Sequence, residues 1–265
     1  MARSFITALR ALPVWLYVVL LYGFIFLPVG VLVLFSFQES RLPIPPFNGP
    51  SLRWYEAVFA DARLMAALGN SIAVALTSSL AAVVLGFLAA YSLARHRLPG
   101  AALLQGFLTA PLTVSYLIIA MGLLITFNQL GVPKSLLTVG IGHVVINLPL
   151  CFAILYSQMG AHQANIERAA RDLGAREWQV LGLVTVPMLW PALFASFFLS
   201  VTFSWDEFII AFMVSRFDVT LPVEIWSMLR TGLNPKTNAI GSFVFLISIA
   251  TVLVLDLVVF RSRKA

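Results

Sequence analysis

Charge is what this chain has least of: Asp, Glu, Lys and Arg make up 11% of its 265 residues, whereas 60% are apolar. A soluble enzyme or a nucleic-acid reader carries more charged surface than that. Cysteine is almost missing as well, and the single Cys151, set in an apolar run, excludes a disulfide scaffold. Of the three histidines, His143 and His162 have no second ligand at helical spacing, so the sequence offers no metal site. His96, between Arg95 and Arg97, reads as a solvated loop. No G-x-x-x-x-G-K-[ST] phosphate loop occurs, and no nucleophile, base and metal constellation marks a membrane enzyme. There is no internal repeat. The net charge of +6 is scattered between apolar blocks rather than gathered in a patch, so nucleic acid is not an expected partner. With a mean hydropathy of +0.96, the chain is an integral membrane protein, and an all-α one.

A helix needs about 20 residues without stranded charge to cross the hydrocarbon layer. Counting such windows predicts six spans, Val14 to Phe37, Asn70 to Ala94, Ala102 to Phe127, one within Ser135 to Ser157, Met188 to Ser215, and Asn238 to Phe260. Arg3 and Arg10 before the first span resemble the start of a signal peptide, but the apolar stretch is too long and no A-x-A site follows. It is read as a retained anchor, with the whole of 1–265 forming one transmembrane domain.

Placing both termini in the cytoplasm puts Arg3, Arg10, Arg95, Arg97, Arg168, Arg171, Arg176, Arg261, Arg263 and Lys264 inside. Arg41, Arg53, Arg63, Lys134, Arg216, Arg230 and Lys236 then lie outside. Within the second span, Ala82, Gly86, Ala90 and Ala94 recur every fourth residue, a smooth stripe against which another helix can pack. Pro28, Pro111 and Pro149 fall inside spans, as kinks suited to a gate or to ordinary packing.

Between the fourth and fifth spans the periodicity changes. Ile166, Ala169, Ala170 and Leu173 follow the i, i+3, i+4, i+7 rule, giving one small apolar face, while Glu167/Arg171 and Arg168/Asp172 form opposite-charge i, i+4 pairs on the other. Asn165 can cap the start and Gly174 can end the helix in the left-handed conformation. A second short helix, Arg176 to Leu183, is expected next, making a cytoplasmic knob that a partner can grip.

This segment resembles the EAA loop of permease subunits in bacterial ATP-binding cassette importers, whose pattern is EAA, three residues, Gly, nine residues, then Ile-x-Leu-Pro. Ala169, Ala170, Gly174, Val184 and Pro187 match it, and the loop extends over about 158–187. The first letter departs: Arg168 stands at the motif's Glu, and Glu167 sits one residue earlier. If relatives set that Glu against an arginine of the ATPase, this chain must use Glu167 or make a different contact through Arg168. Further stretches are similar to the spermidine/putrescine-type permeases: Leu52-Arg53-Trp54-Tyr55, Asn70-Ser71, Ala110-Pro111-Leu112, Asp172-Leu173-Gly174-Ala175, Ser204-Trp205-Asp206-Glu207-Phe208, Leu221-Pro222 and Gly232-Leu233-Asn234-Pro235.

The resemblance implies a six-helix subunit of the type I importer fold in the bacterial inner membrane. It implies a second permease subunit, a dimer of ATPase subunits that bind ATP and magnesium, and a periplasmic solute-binding protein, with no cofactor in this chain. Glu167, Arg168, Ala169, Ala170, Asp172 and Gly174 are the expected coupling residues.

Asp206 and Glu207 are costly inside a membrane unless paired or hydrated, which marks a path for solute. Trp205 and Phe208 flank them, an arrangement suited to an ammonium group. Adjacent helical residues point about 100° apart, so one carboxylate faces the path and the other meets a helix cap or partner chain. A purely structural role for the pair stays open. Where relatives often carry Pro-Asp or Pro-Glu in span three, this chain has Ser115-Tyr116, so Tyr116 is read equally as a path residue or as simple packing, and a monoamine, zwitterion or amine derivative stands beside a polyamine as cargo. Asp256 is expected at the membrane interface, near Arg261. The loops Arg216 to Lys236 and Gln38 to Gly69 are candidates for meeting the binding protein. The rival reading is a proton-coupled secondary transporter using Asp206, Glu207 and Asp256, against which stand the missing repeat and the knob.

Overall fold

The computed structural model describes the backbone of residues 2–96, 98–232 and 234–261, and the side chains of these from 14 to 253. Arg97, Leu233, Arg263 and Lys264 lie outside the described residues, as do the side chains of Arg3, Arg10, Asp256 and Arg261. In chain order the helices are α1 (Ala2–Ser36), α2 (Arg53–Phe59), α3 (Ala62–Arg95), α4 (Ala101–Thr109), α5 (Tyr116–Gln129), α6 (Leu136–Gln158), α7 (Ala161–Asp172), α8 (Glu177–Gln179), α9 (Val186–Asp206), α10 (Ile209–Val214), α11 (Leu221–Thr231) and α12 (Pro235–Arg261). Among the described residues five stretches are long and apolar enough to cross a membrane, and the bent pair Ala101–Thr113 and Tyr116–Gln129 makes six if it is one span.

That pair gives the third span a far sharper break than the kink expected at Pro111. Its halves meet at 108°. Pro111 stands in the short 3-10 turn Ala110–Thr113, and Val114 and Ser115 are extended, so the backbone leaves the helix before Tyr116 restarts it. The fifth span is corrected at both ends. The segment 177–206 runs on without a break through a π-type turn at Val180–Thr185, and the helix stops at Asp206 instead of Ser215.

The described chain divides into two compact units, Met1–Ala62 with Ile225–Ile247, and Arg63–Glu224 with Ser248–Ala265. In the first, the buried Gln38 organises the loop after α1, donating through Nε2 to the carbonyls of Ile44 and Pro46 and accepting from the Asn48 amide. Trp54 on α2 donates to the Gln38 carbonyl at 2.7 Å. Lys236 pairs with Asp61, and Gly241 lets α12 approach the Leu32 side chain.

The second unit is built on close helix contacts. A Cβ at Gly86 would stand 2.9 Å from the Phe152 amide nitrogen, so α3 and α6 touch backbone to backbone. Ala82 and Ala90, one turn to either side, are fully buried, which makes the four-residue stripe a packing seam. Gly142 on α6 likewise takes Ile210 of α10 directly against its Cα.

Candidate functional site

The knob begins at α7. Its end is a full Schellman cap: the Ala175 amide donates to the Ala170 carbonyl at 3.1 Å and the Gly174 amide to the Arg171 carbonyl at 2.8 Å. Gly174 has φ +87°, and nothing lies within 4 Å of where its Cβ would be. Conformation rather than space therefore requires glycine here.

Glu167 corrects the expected charged face. It is fully buried, and its carboxylate accepts from Arg95 Nε at 2.6 Å, Arg95 Nη2 at 3.1 Å and Thr185 Oγ1 at 3.1 Å. Arg95 also donates to the Met159 carbonyl. One carboxylate thus joins the end of α3, α7 and the π-type turn below α9. The expected Glu167/Arg171 pair is replaced by an ion pair across the glycine turn, where Arg171 holds both oxygens of Glu177 at 2.7 and 3.0 Å. Hydrogen bonding to Glu177 keeps the Arg171 guanidinium protonated above its already high range. Among the described residues Arg168 and Asp172 form no ion pair; both are exposed. The apolar face also points away from the unit: Leu173 is 90% exposed, Ile166 36% and Trp178, just past the turn, 65%. Ala169 is exposed and Ala170 half-buried. The second helix of the knob is not separate, since α8 and the π-type turn lead directly into α9.

The second cluster lies where α9 breaks. Asp206 ends the helix and Glu207 is extended, with φ −72° and ψ 120°. The two carboxylates then part. Glu207 is buried and caps α10, accepting from the amides of Ile210 (2.9 Å) and Ala211 (3.1 Å). Asp206 is exposed. Trp205 is buried, and among the described residues its indole Nε1 has no hydrogen-bond partner. Phe208 stacks on Phe212. Tyr116 opens α5 after the bend and is 37% exposed; no described hydrogen bond joins it to Asp206 or Glu207.

Sequence reasoning missed His143. It is buried on α6, with Nδ1 2.6 Å from Ser204 Oγ and Nε2 3.3 Å from Glu207 Oε2, off the line of a well-formed hydrogen bond. Ser204 continues to Ser78 of α3 at 3.2 Å. Below it the buried Ser200 and Ser196 repeat every fourth residue on α9, as Asn147 and Cys151 do after His143 on α6. Those matching four-residue spacings were the available signal. Two polar stripes of equal pitch in apolar helices mark facing sides.

The described residues thus combine membrane-spanning helices with an exposed knob and a carboxylate-bearing break at the end of α9. Residues 82–264 match the family described as binding-protein-dependent transport system inner membrane component, and the chain belongs to that family. It is 35% identical over 240 residues to the putrescine transport system permease protein PotI of Escherichia coli K12, covering 87% of this chain and 85% of that one. To the spermidine/putrescine transport system permease protein PotC of the same organism it is 28% identical over 240 residues, 90% of each. To the sulfoquinovosyl glycerol transport system permease protein SmoH of Agrobacterium fabrum it is 29% identical over 213 residues, 78% of this chain and 75% of that one. Among solved structures, a bacterial ABC transporter importing the acidic polysaccharide alginate shares the fold, with TM-score 0.65 at 19% identity over 98% of this chain and 97% of that one. The alginate transporter in complex with its pentasaccharide-bound periplasmic protein gives TM-score 0.71 at 17% identity, over 96% and 94%. The chain is therefore an inner-membrane permease subunit of an ATP-binding cassette importer and not an enzyme, and the solitary proton-coupled carrier is set aside.

Proposed function

We propose that this permease imports a small amine solute, a polyamine or a relative of one, together with a second permease subunit, two ATPase subunits and a periplasmic binding protein. ATP and magnesium bind in the ATPase pair. Both termini face the cytoplasm, the two units act as one permease domain, and the knob from α7 to the π-type turn is the part the ATPase holds. The observation that carries this reading is the pairing of an outward apolar face, Leu173 and Trp178, with an inward tie, Glu167 to Arg95 and Thr185. A partner that moves the exposed face must move α3 and α9 with it, because the tie is buried and made by charged hydrogen bonds. Asp172 and Arg168 lie on the exposed part of the same knob, with Gly174 setting the angle of its second limb.

The amine assignment is supported by the putrescine and spermidine names of the relatives and by the exposed Asp206 at the break in α9. Asp206 is the group that attracts a cationic solute, while Glu207 holds the break in shape and Trp205 and Tyr116 border the path. Uptake of radiolabelled putrescine, spermidine and neutral diols by proteoliposomes holding the whole complex tests it. ATP-dependent uptake of the amines alone supports the assignment, and preference for an uncharged or anionic solute removes it.

A further inference from the structure

In the EAA pattern that the knob resembles, position 168 is where the charge is reversed, Arg for Glu, and the structure shows what that leaves for a partner. Glu167 is not available: it is fully buried and committed to Arg95 and Thr185. Arg168, about 100° further round the helix, is exposed, and among the described residues its side chain has neither a hydrogen bond nor an ion pair. It borders a cleft of about 310 Å³ whose other polar walls are Arg95, His96, Arg171 and Glu177. Arg95 is balanced by Glu167 and Arg171 by Glu177, so among the described residues that line the cleft Arg168 is the arginine left uncompensated, with His96 beside it. The same knob exposes Leu173 and Trp178. A positive cleft next to apolar side chains is the anatomy of a protein contact, in which a charged anchor sits within a rim that excludes water. An anionic membrane surface fits less well, because Asp172 and Glu177 are exposed on the same knob and would meet the lipid charge.

Building on the proposed ATPase contact, we infer that the ATPase partner places an Asp or Glu carboxylate in this cleft against Arg168. The contact is then opposite in sign to the one a motif Glu at this position would make, and Arg168 selects the ATPase that this permease accepts. Arginine suits the task, since its planar fork takes a carboxylate in two hydrogen bonds and cannot lose its charge.

The test uses the complete complex in proteoliposomes, with hydrolysis stimulated by loaded binding protein and retention of the ATPase on the membrane as readouts. Arg168→Glu is expected to lower stimulated hydrolysis at least tenfold and to release the ATPase as salt rises, whereas Arg168→Lys keeps most of both. Thermal unfolding of the permease is unchanged, because Arg168 supports nothing inside the fold. One Asp→Arg or Glu→Arg replacement on the ATPase restores the Arg168→Glu complex and weakens the wild type. The inference is overturned if Arg168→Glu assembles and couples within twofold of wild type. It is also overturned if no acidic ATPase residue gives rescue, or if the loss disappears in vesicles of phosphatidylcholine alone, which would assign Arg168 to lipid. Leu173→Asp separates this failure from that of the underlying reading. If it releases the ATPase while Arg168→Glu does not, only the charge inference falls; if both leave the ATPase in place, the knob is not the docking point.

Discussion

Arg95 and Glu167 meet through two hydrogen bonds, 2.6 and 3.1 Å long, across 72 residues of sequence, with both side chains withdrawn from solvent. Removing one member of such a pair strands the other charge, at about 3 to 5 kcal/mol. Glu167→Ala is therefore expected to lower the thermal midpoint of the purified permease by several degrees and to abolish ATP-driven uptake. Glu167→Gln retains part of the hydrogen bonding and falls between. Equal unfolding curves for Glu167→Ala and wild type would show that the pair carries no such weight.

Gly174 is required for its backbone. Its left-handed φ of +87° costs a side-chain-bearing residue roughly 1 to 2 kcal/mol, and no atom stands within 4 Å to clash with an added methyl. Gly174→Asn should retain most coupling, Gly174→Ala less and Gly174→Val least, in binding-protein-stimulated ATP hydrolysis by the full complex. Loss ordered by side-chain volume, with Asn worse than Ala, would point to crowding instead.

The contrast between Gly86 and Gly69 on α3 tests the helix contact. At Gly86 a methyl meets the Phe152 backbone, an overpacking of about 1 to 3 kcal/mol, whereas at Gly69 nothing lies within 4 Å. Gly86→Ala should lower the thermal midpoint and Gly69→Ala leave it equal or raise it, as scanning fluorimetry in detergent will report.

Most of the spans could be read from the sequence because unpaired charge is excluded from hydrocarbon, and α7 because Gly174 and the apolar spacing are local signals. What could not be read depends on contacts distant in sequence or on backbone breaks inside apolar runs. Glu167 looked like a surface residue because its true partner is on α3. Pro111 marked a kink before Tyr116 but not its 108° angle, and Asp206 and Glu207 stood out as charges without showing that α9 ends there, because apolar residues resume at Phe208. His143 looked isolated because Ser204 on α9 and Glu207 just past its end are more than 60 residues away in sequence.

Asp206 and Glu207 should separate when each is neutralised. Glu207→Gln weakens the cap on α10 and the approach to His143, so the thermal midpoint falls. Asp206→Asn leaves the midpoint near wild type and raises the half-saturating concentration of a cationic solute. If Asp206→Asn alters stability and spares uptake, its role is structural and the path runs elsewhere.

The most direct test of the account is to replace Leu173 with a photo-crosslinking amino acid in the complete complex and measure the crosslink beside ATP-driven uptake. The account predicts a crosslink to the ATPase subunit, and loss of uptake in Glu167→Ala while that crosslink persists. A Leu173 probe that captures only lipid, or a Glu167→Ala complex that imports solute at the wild-type rate, would contradict it.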